Sequence, residues 1–198
     1  MGNQRLDLMW RNHGSTFHRC FPGIPPLGWK LRSFFPSKWA RFYAHPSGDR
    51  PITARGEREE MLRRFYAIES SLFVRNDLSV SVFAPVIKYD GEIGRYRPDA
   101  LSSVGLKLVD ADITDDEDDK GVAFDLYGGV KEINSSEIEL LVAAIMRDEI
   151  VQTVLIAHNG NIIAPYEGGF DIFSNRVEEI DRLRALFPTW LSDRSDGL

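Results

Sequence analysis

The stretch IIAPYEGGFDIF, residues 162–173, sets Glu167 and Asp171 inside an otherwise apolar run. Two neighbouring carboxylates are the raw material of glycoside hydrolysis, one as acid and one as base or nucleophile. Turn chemistry accounts for Glu167, which stands before Gly168 and Gly169, residues suited to unusual φ at a tight turn. Asp171 is harder to place, because Phe170, Ile172 and Phe173 surround it. A carboxylate there is either buried against a donor, for which Arg41 and Arg50 are the candidates, or lines a pocket. A hydrolase built on Asp171 would recruit His45 or an arginine as its second group.

Other chemistries lack their residues. His13, His18 and Cys20 lie close together, but no CxxC, HExxH or second cluster completes a metal shell. The acidic run DADITDDEDD, residues 110–119, lacks the central glycine and closing glutamate of a calcium loop and reads as a solvated hairpin tip. There is no GxxxxGK[ST], GxGxxG or GxSxG, so common nucleotide sites and the nucleophile elbow are not supported. No metal and no cofactor is expected. Cys20 is the sole cysteine, which forbids an intrachain disulfide and favours a reducing, cytoplasmic setting. As a nucleophile it would need a positioned base, and His18 two residues away offers weak geometry.

A ligand surface is better represented in WKLRSFFPSKWARFYAHPSGDR, residues 29–50. It mixes Lys30, Arg32, Lys38, Arg41 and Arg50 with Trp29, Trp39 and Tyr43, the composition of a surface that grips phosphates and stacks on bases. The same aromatics stand beside prolines, as rings that anchor a loop onto a core do. Residues 1–58 hold ten Lys and Arg against three Asp and Glu, a balance of +7, and the remainder carries −13, for a net −6. Such a split suits either a basic binding surface or a basic segment packed on its own acidic body. The N-terminus has no continuous apolar stretch of a secretory signal, and Leu6 spoils a myristoylation motif.

These residues need elements to position them. The 198 residues, 43% hydrophobic and 27% charged, suit one domain: a basic, aromatic and proline-rich segment over 1–56 packed on a body over 57–198. Apolar runs such as VLIA, residues 154–157, are far shorter than a membrane span. The spacing of Leu31, Phe34 and Phe35 predicts a short helix ended by Pro36, and residues 39–44 alternate as a strand. Met61, Leu62, Phe65, Ile68 and Leu72 predict a helix from Glu57 to about Phe73. Strands are expected over 78–86, 104–110 and 121–128, the last two as an antiparallel pair. A second helix follows Ser135 or Ser136, with Glu137 and Glu139 in its first turn. Asn159-Gly160 predicts a type I′ hairpin pairing 151–157 with 161–164. A third helix is expected after Ser174 or Asn175, with Glu178 in capping-box position and Pro188 at its end. The reading is α+β: a mostly antiparallel sheet with about three packed helices.

Two stretches carry a resemblance. The segment FPGIPPLGWKLRSFFPSKWARFYAHPSGDR, with the ending IAPYEGGFDIF…LRALFPTWLSDRSDGL, resembles a family of uncharacterised bacterial proteins. That family couples an early FPGxPPxG…RF segment to an APYxGGxD…WLS…GL signature, and Glu167 stands where it often has Asp. The resemblance implies no activity. It marks Pro165, Tyr166, Gly168, Gly169, Asp171, Trp190, Leu191 and Ser192, with Arg41 and Arg50, as positions to watch; the expected binding residues are Asp171, Tyr166, Gly168, Gly169, Trp190, Arg41, Arg50 and His45. By fold-level analogy, small acidic α+β proteins of this kind are frequently encountered beside secreted bacterial toxins as immunity or accessory factors. The resulting expectation is a non-catalytic, cytoplasmic protein-binding factor with a basic protein partner. Nucleic-acid binding through 29–50 and a hydrolase using Asp171 are the alternatives.

Overall fold

Long-range pairing of alternating segments organises the chain. The structure, a computed structural model, describes residues 15–45, 55–73, 79–94, 98–114 and 122–191. In chain order these form α1 (Ser15–Cys20), α2 (Gly28–Phe34), a 3₁₀ turn (Pro36–Lys38), β1 (Trp39–Tyr43), α3 (Arg55–Leu72), β2 (Ser79–Tyr89), β3 (Glu92–Ile93) and α4 (Pro98–Ser103). There follow β4 (Lys107–Thr114), β5 (Val122–Glu132), α5 (Ser136–Met146), β6 (Val154–Ile156), β7 (Ile162–Tyr166), β8 (Gly169–Phe173), α6 (Val177–Leu186) and a 3₁₀ turn (Pro188–Trp190). One eight-stranded sheet runs β1-β8-β7-β6-β2-β5-β4, with β3 folded back on β2. Every pairing in it is antiparallel.

The fold is therefore α+β, with more helices than the three expected. One of the additional ones, α2, is the short helix that Leu31, Phe34 and Phe35 predict, ending before Pro36; the others, α1 and α4, span only six residues each, too few turns for a helical period to stand out.

Strand alternation divides the core into two layers. Ala40, Phe42 and Ala44 point into the larger layer, where Met61, Phe65 and Ile68 of α3, Ile138 and Leu141 of α5, and Ile180 and Leu183 of α6 pack. Trp39 points the other way, into a second layer with Phe17, Phe21, Leu31, Phe83, Leu126, Ile162 and Phe173, beneath α1 and α2. The aromatics of the early segment thus roof one face of the sheet. Its strand β1 pairs along its length with β8, close to the C-terminus.

Several local expectations change. The region 104–110 begins with Val104 after α4, turns at Gly105 (φ 71°) and becomes a strand only at Lys107, which then runs to Thr114 through part of the acidic stretch. β6 shrinks to three residues, and Gln152 lies before it with its side chain turned to Asp171. The Asn159-Gly160 hairpin is real, but only Gly160 is left-handed, at φ 85°. Gly160 N–H donates to the Ala157 carbonyl and Ala157 N–H to the Asn161 carbonyl, giving a three-residue loop with one glycine in place of a type I′ turn. The asparagines of this loop also serve α3. Asn161 Nδ2 and Asn159 Nδ2 donate to the Leu72 carbonyl at 2.9 and 3.4 Å, satisfying the end of that helix. Ser135 caps α5 as expected, accepting from Ile138 N–H. Arg176, not Ser174 or Asn175, occupies the cap position of α6, and Ser174 Oγ accepts from Arg176 N–H just ahead of it.

Candidate functional site

Asp171 is at the centre of the site because of register. On β8 it stands opposite Arg41 of β1 on one side and Ala164 of β7 on the other. Directly opposed residues of antiparallel strands share a face. Arg41, Asp171 and Ala164 therefore form one row on the α2 side of the sheet. Arg41 grips Asp171 bidentately, Nε to Oδ1 at 2.8 Å and Nη2 to Oδ2 at 3.0 Å. Gln152 Nε2 adds a third donor to Oδ2 at 2.8 Å and also reaches the Ala164 carbonyl at 3.4 Å. The Asp171 side chain is fully buried and that of Arg41 is 12% exposed. Of the readings left open for Asp171, the structure gives the buried carboxylate, with Arg41 as its donor.

Burial works against the charge of Arg41, but the hydrogen bonds and attraction of Asp171 outweigh it and hold the guanidinium above its ordinary value. The same guanidinium stacks on two rings, with its carbon 4.2 Å from the centroid of Tyr166 and 5.8 Å from that of Trp39. Arg32 approaches the Trp39 ring too, at 5.8 Å. Burial raises the Tyr166 phenol well above its usual range; Arg41 opposes that rise and Asp171 adds to it.

Two glycines make this packing possible. Gly169 pairs with Tyr166 across the β7–β8 hairpin. A Cβ on it would lie 2.1 Å from the Phe42 carbonyl oxygen and 3.0 Å from Tyr166 Oη. The residue is needed for close approach, since neither Gly168 nor Gly169 is among the left-handed glycines, contrary to the turn expected from sequence. The contribution of Gly168 is its carbonyl, which accepts from Ala44 N–H at 2.9 Å. Gly28, the first residue of α2, is the second: a Cβ there would meet Gln152 Oε1 at 2.4 Å.

The remaining candidate positions divide. Trp190 lies in the other core layer, stacked on Phe187 at 4.3 Å and flanked by Arg63 and Arg64 at 5.4 and 5.0 Å. Arg64 is buried there, donating Nε to Glu60 and Nη1 to the Tyr43 carbonyl. Leu191 bridges to Phe42 at the outer edge of β1. His45 is buried just beyond β1. Arg50 and Ser192 lie outside the described residues. Arg41, Tyr166, Gly169 and Asp171 thus converge on one face, while Trp190 sits on the opposite one. Sequence reasoning missed Gln152 and did not join Trp39 to this row, since nothing local to either residue encodes the register that brings it to Arg41.

Chemically, the row is saturated at its carboxylate. Asp171 accepts three hydrogen bonds with no exposure to water, a poor arrangement for a base that must take a proton from substrate. Among the described residues no three His, Cys, Asp or Glu side chains gather as a metal-holding group. No described helix is long and apolar enough to cross a membrane.

Comparison with protein families matches residues 27–195 to a family described as a domain of unknown function, DUF3885. No curated protein and no solved structure matches the chain.

Proposed function

The chain belongs to the DUF3885 family, and we propose from its own geometry that it is a non-catalytic binding protein whose partner is a basic protein. The observation that carries this reading is which charges face out. Lys30 is buried, Arg41 is held by Asp171, Arg32 lies on Trp39 and Arg64 is buried against Glu60. Asp90, Glu92, Asp99, Glu132, Glu167 and Glu178 are exposed and have no ion pair among the described residues. Arg19, Arg58 and Lys107 are likewise exposed and outside any ion pair among the described residues, so the six free carboxylates outnumber these three cations, and a net acidic exterior steers a basic partner and suppresses acidic ones. Neutralisation of a secreted toxin by an immunity-type factor is one concrete version.

The alternatives have less support. A nucleic-acid surface needs rings and cations on display, yet Trp39 and Lys30 are each 7% exposed. A hydrolase needs a carboxylate that substrate can reach, and Asp171 is closed off. The reading is tested by purifying the basic proteins encoded by neighbouring genes and measuring their binding to the full chain at about 50 and 300 mM salt. Tight binding that weakens at least tenfold across that range is expected. Absence of binding, or affinity indifferent to salt, sinks it.

A further inference from the structure

We propose that Trp39, Arg41 and Tyr166 form a receptor for a single carboxylate group, a site separate from the acidic exterior and independent of binding to a basic protein. Among the described residues, two buried side-chain polar atoms have no hydrogen-bond partner: Trp39 Nε1 and Tyr166 Oη. Both belong to the rings that stack on Arg41. Buried polar groups are nearly always paired, and each exception calls for an explanation. Two exceptions on one guanidinium point to a common missing partner.

The donor set defines that partner. The indole nitrogen can only donate, the phenol can donate, and Arg41 has Nη1 left over, because Nε and Nη2 are engaged with Asp171. What complements these three donors, carried by one guanidinium and the two rings against it, is a group with several acceptor lone pairs and no protons. Charge narrows the choice further. Asp171 cancels Arg41, Arg32 on the same indole supplies one positive charge, and Glu167 acts electrostatically on both Arg41 and Tyr166. These four charges sum to zero, so each negative charge on the ligand is uncompensated and a monoanion is tolerated better than a phosphate dianion. The group enters on the side of Arg41, whose side chain retains 12% exposure while the two orphaned atoms have none. Its source is either a small carboxylic acid or the end of a peptide.

The test is a titration of the ¹⁵N-labelled full chain with acetate at constant ionic strength. It follows the Trp39 indole N–H resonance, assigned by its loss in Trp39→Phe. A saturable shift with acetate, absent with chloride and weaker with inorganic phosphate, is expected. Tyr166→Phe keeps the ring on Arg41 and removes one donor, so it should weaken acetate about tenfold. Its thermal midpoint checks that the fold persists. Tetraglycine with a free C-terminus, compared with its C-terminal amide, separates the sources. Tighter binding of the free acid than of acetate identifies a peptide end, and equal binding identifies a small acid. A resonance that does not saturate with acetate, that moves equally with chloride, or that prefers phosphate overturns the proposal. So does a Tyr166→Phe protein that is folded and binds acetate as well as the parent.

Discussion

Asp171→Asn is the most informative single change, because it alters charge with almost no change in shape. The carboxylate is fully buried and Arg41 is only 12% exposed, so water cannot replace what is lost. Two unit charges about 3 Å apart at an effective dielectric of about 20 attract by roughly 5 kcal/mol. The neutral amide still accepts one hydrogen bond from Arg41, but it leaves a guanidinium without a counter-charge. Removing one partner of a buried pair costs about 3–5 kcal/mol, and the lower half of that range applies here. A domain typically has about 5–15 kcal/mol in total, so the loss is large. Urea unfolding followed by circular dichroism, with linear extrapolation to water, measures it directly. The companion experiment is Arg41→Met with Asp171→Leu, which removes both charges and fills the row with apolar side chains. That double variant should lie within about 2 kcal/mol of the parent, well above the sum of its single changes. A cost below about 1 kcal/mol for Asp171→Asn, or strict additivity in the cycle, would show that the pair does not hold β1 to β8.

Gly169→Ala should destabilise by more than about 2 kcal/mol, or shift β1, because the added carbon would meet the Phe42 carbonyl oxygen at 2.1 Å; urea unfolding and the amide spectrum of β1 report it. Asn161→Ala removes a buried donor from the Leu72 carbonyl and should cost about 1–2 kcal/mol, with faster hydrogen exchange at the end of α3; unchanged exchange would refute that role. Glu60 is held at about 2 by Arg63, against burial and with help from Arg64. A depressed carboxylate contributes stability that is present above its unfolded value near 4.5 and lost as pH falls toward 2. Glu60→Gln should flatten the stability profile in that window by about 1 kcal/mol after solvent screening, and an unchanged slope would count against the pairing.

How much of the fold is legible in the sequence follows the range over which each signal acts. The stripe Met61, Phe65, Ile68 and Leu72 is local, and α3 forms where that stripe predicts it. Asp90-Gly91 is an equally local signal: both residues are left-handed, at φ 50° and 83°, closing a β2–β3 hairpin that the expected strands did not include. The need of Asp171 for a donor follows from its apolar neighbours, and β1 supplies Arg41. Gln152 and Trp39 are beyond the reach of local signals, because their placement depends on strand order across β1, β8 and β7. Gly169 matters for a reason other than the one its type suggests. Glycine implies backbone freedom in a sequence, but here the missing side chain admits the Phe42 carbonyl and the Tyr166 ring.

The edges of the sheet bear on how any protein partner is recognised. An open edge invites an added strand. On β1 the Trp39 carbonyl accepts from Arg184 and the Tyr43 carbonyl from Arg64, while Leu191 bridges to Phe42 between them. Side chains of α6 and α3 and the residue after the last 3₁₀ turn therefore close that border. At the other border, β4 breaks register twice against β5. Ala111 N–H is taken by Asp110 Oδ1 and the N–H of Asp112, left-handed at φ 53°, by Asp125 Oδ1, with Lys88 tying both Asp112 and Asp125 in place. The middle of β4 is thereby satisfied within its own chain. Extension of the sheet by a partner is disfavoured along β1 and at the middle of β4. On the proposed reading, recognition of a partner runs through side chains and their charge, and is then sensitive to salt and to single acidic substitutions.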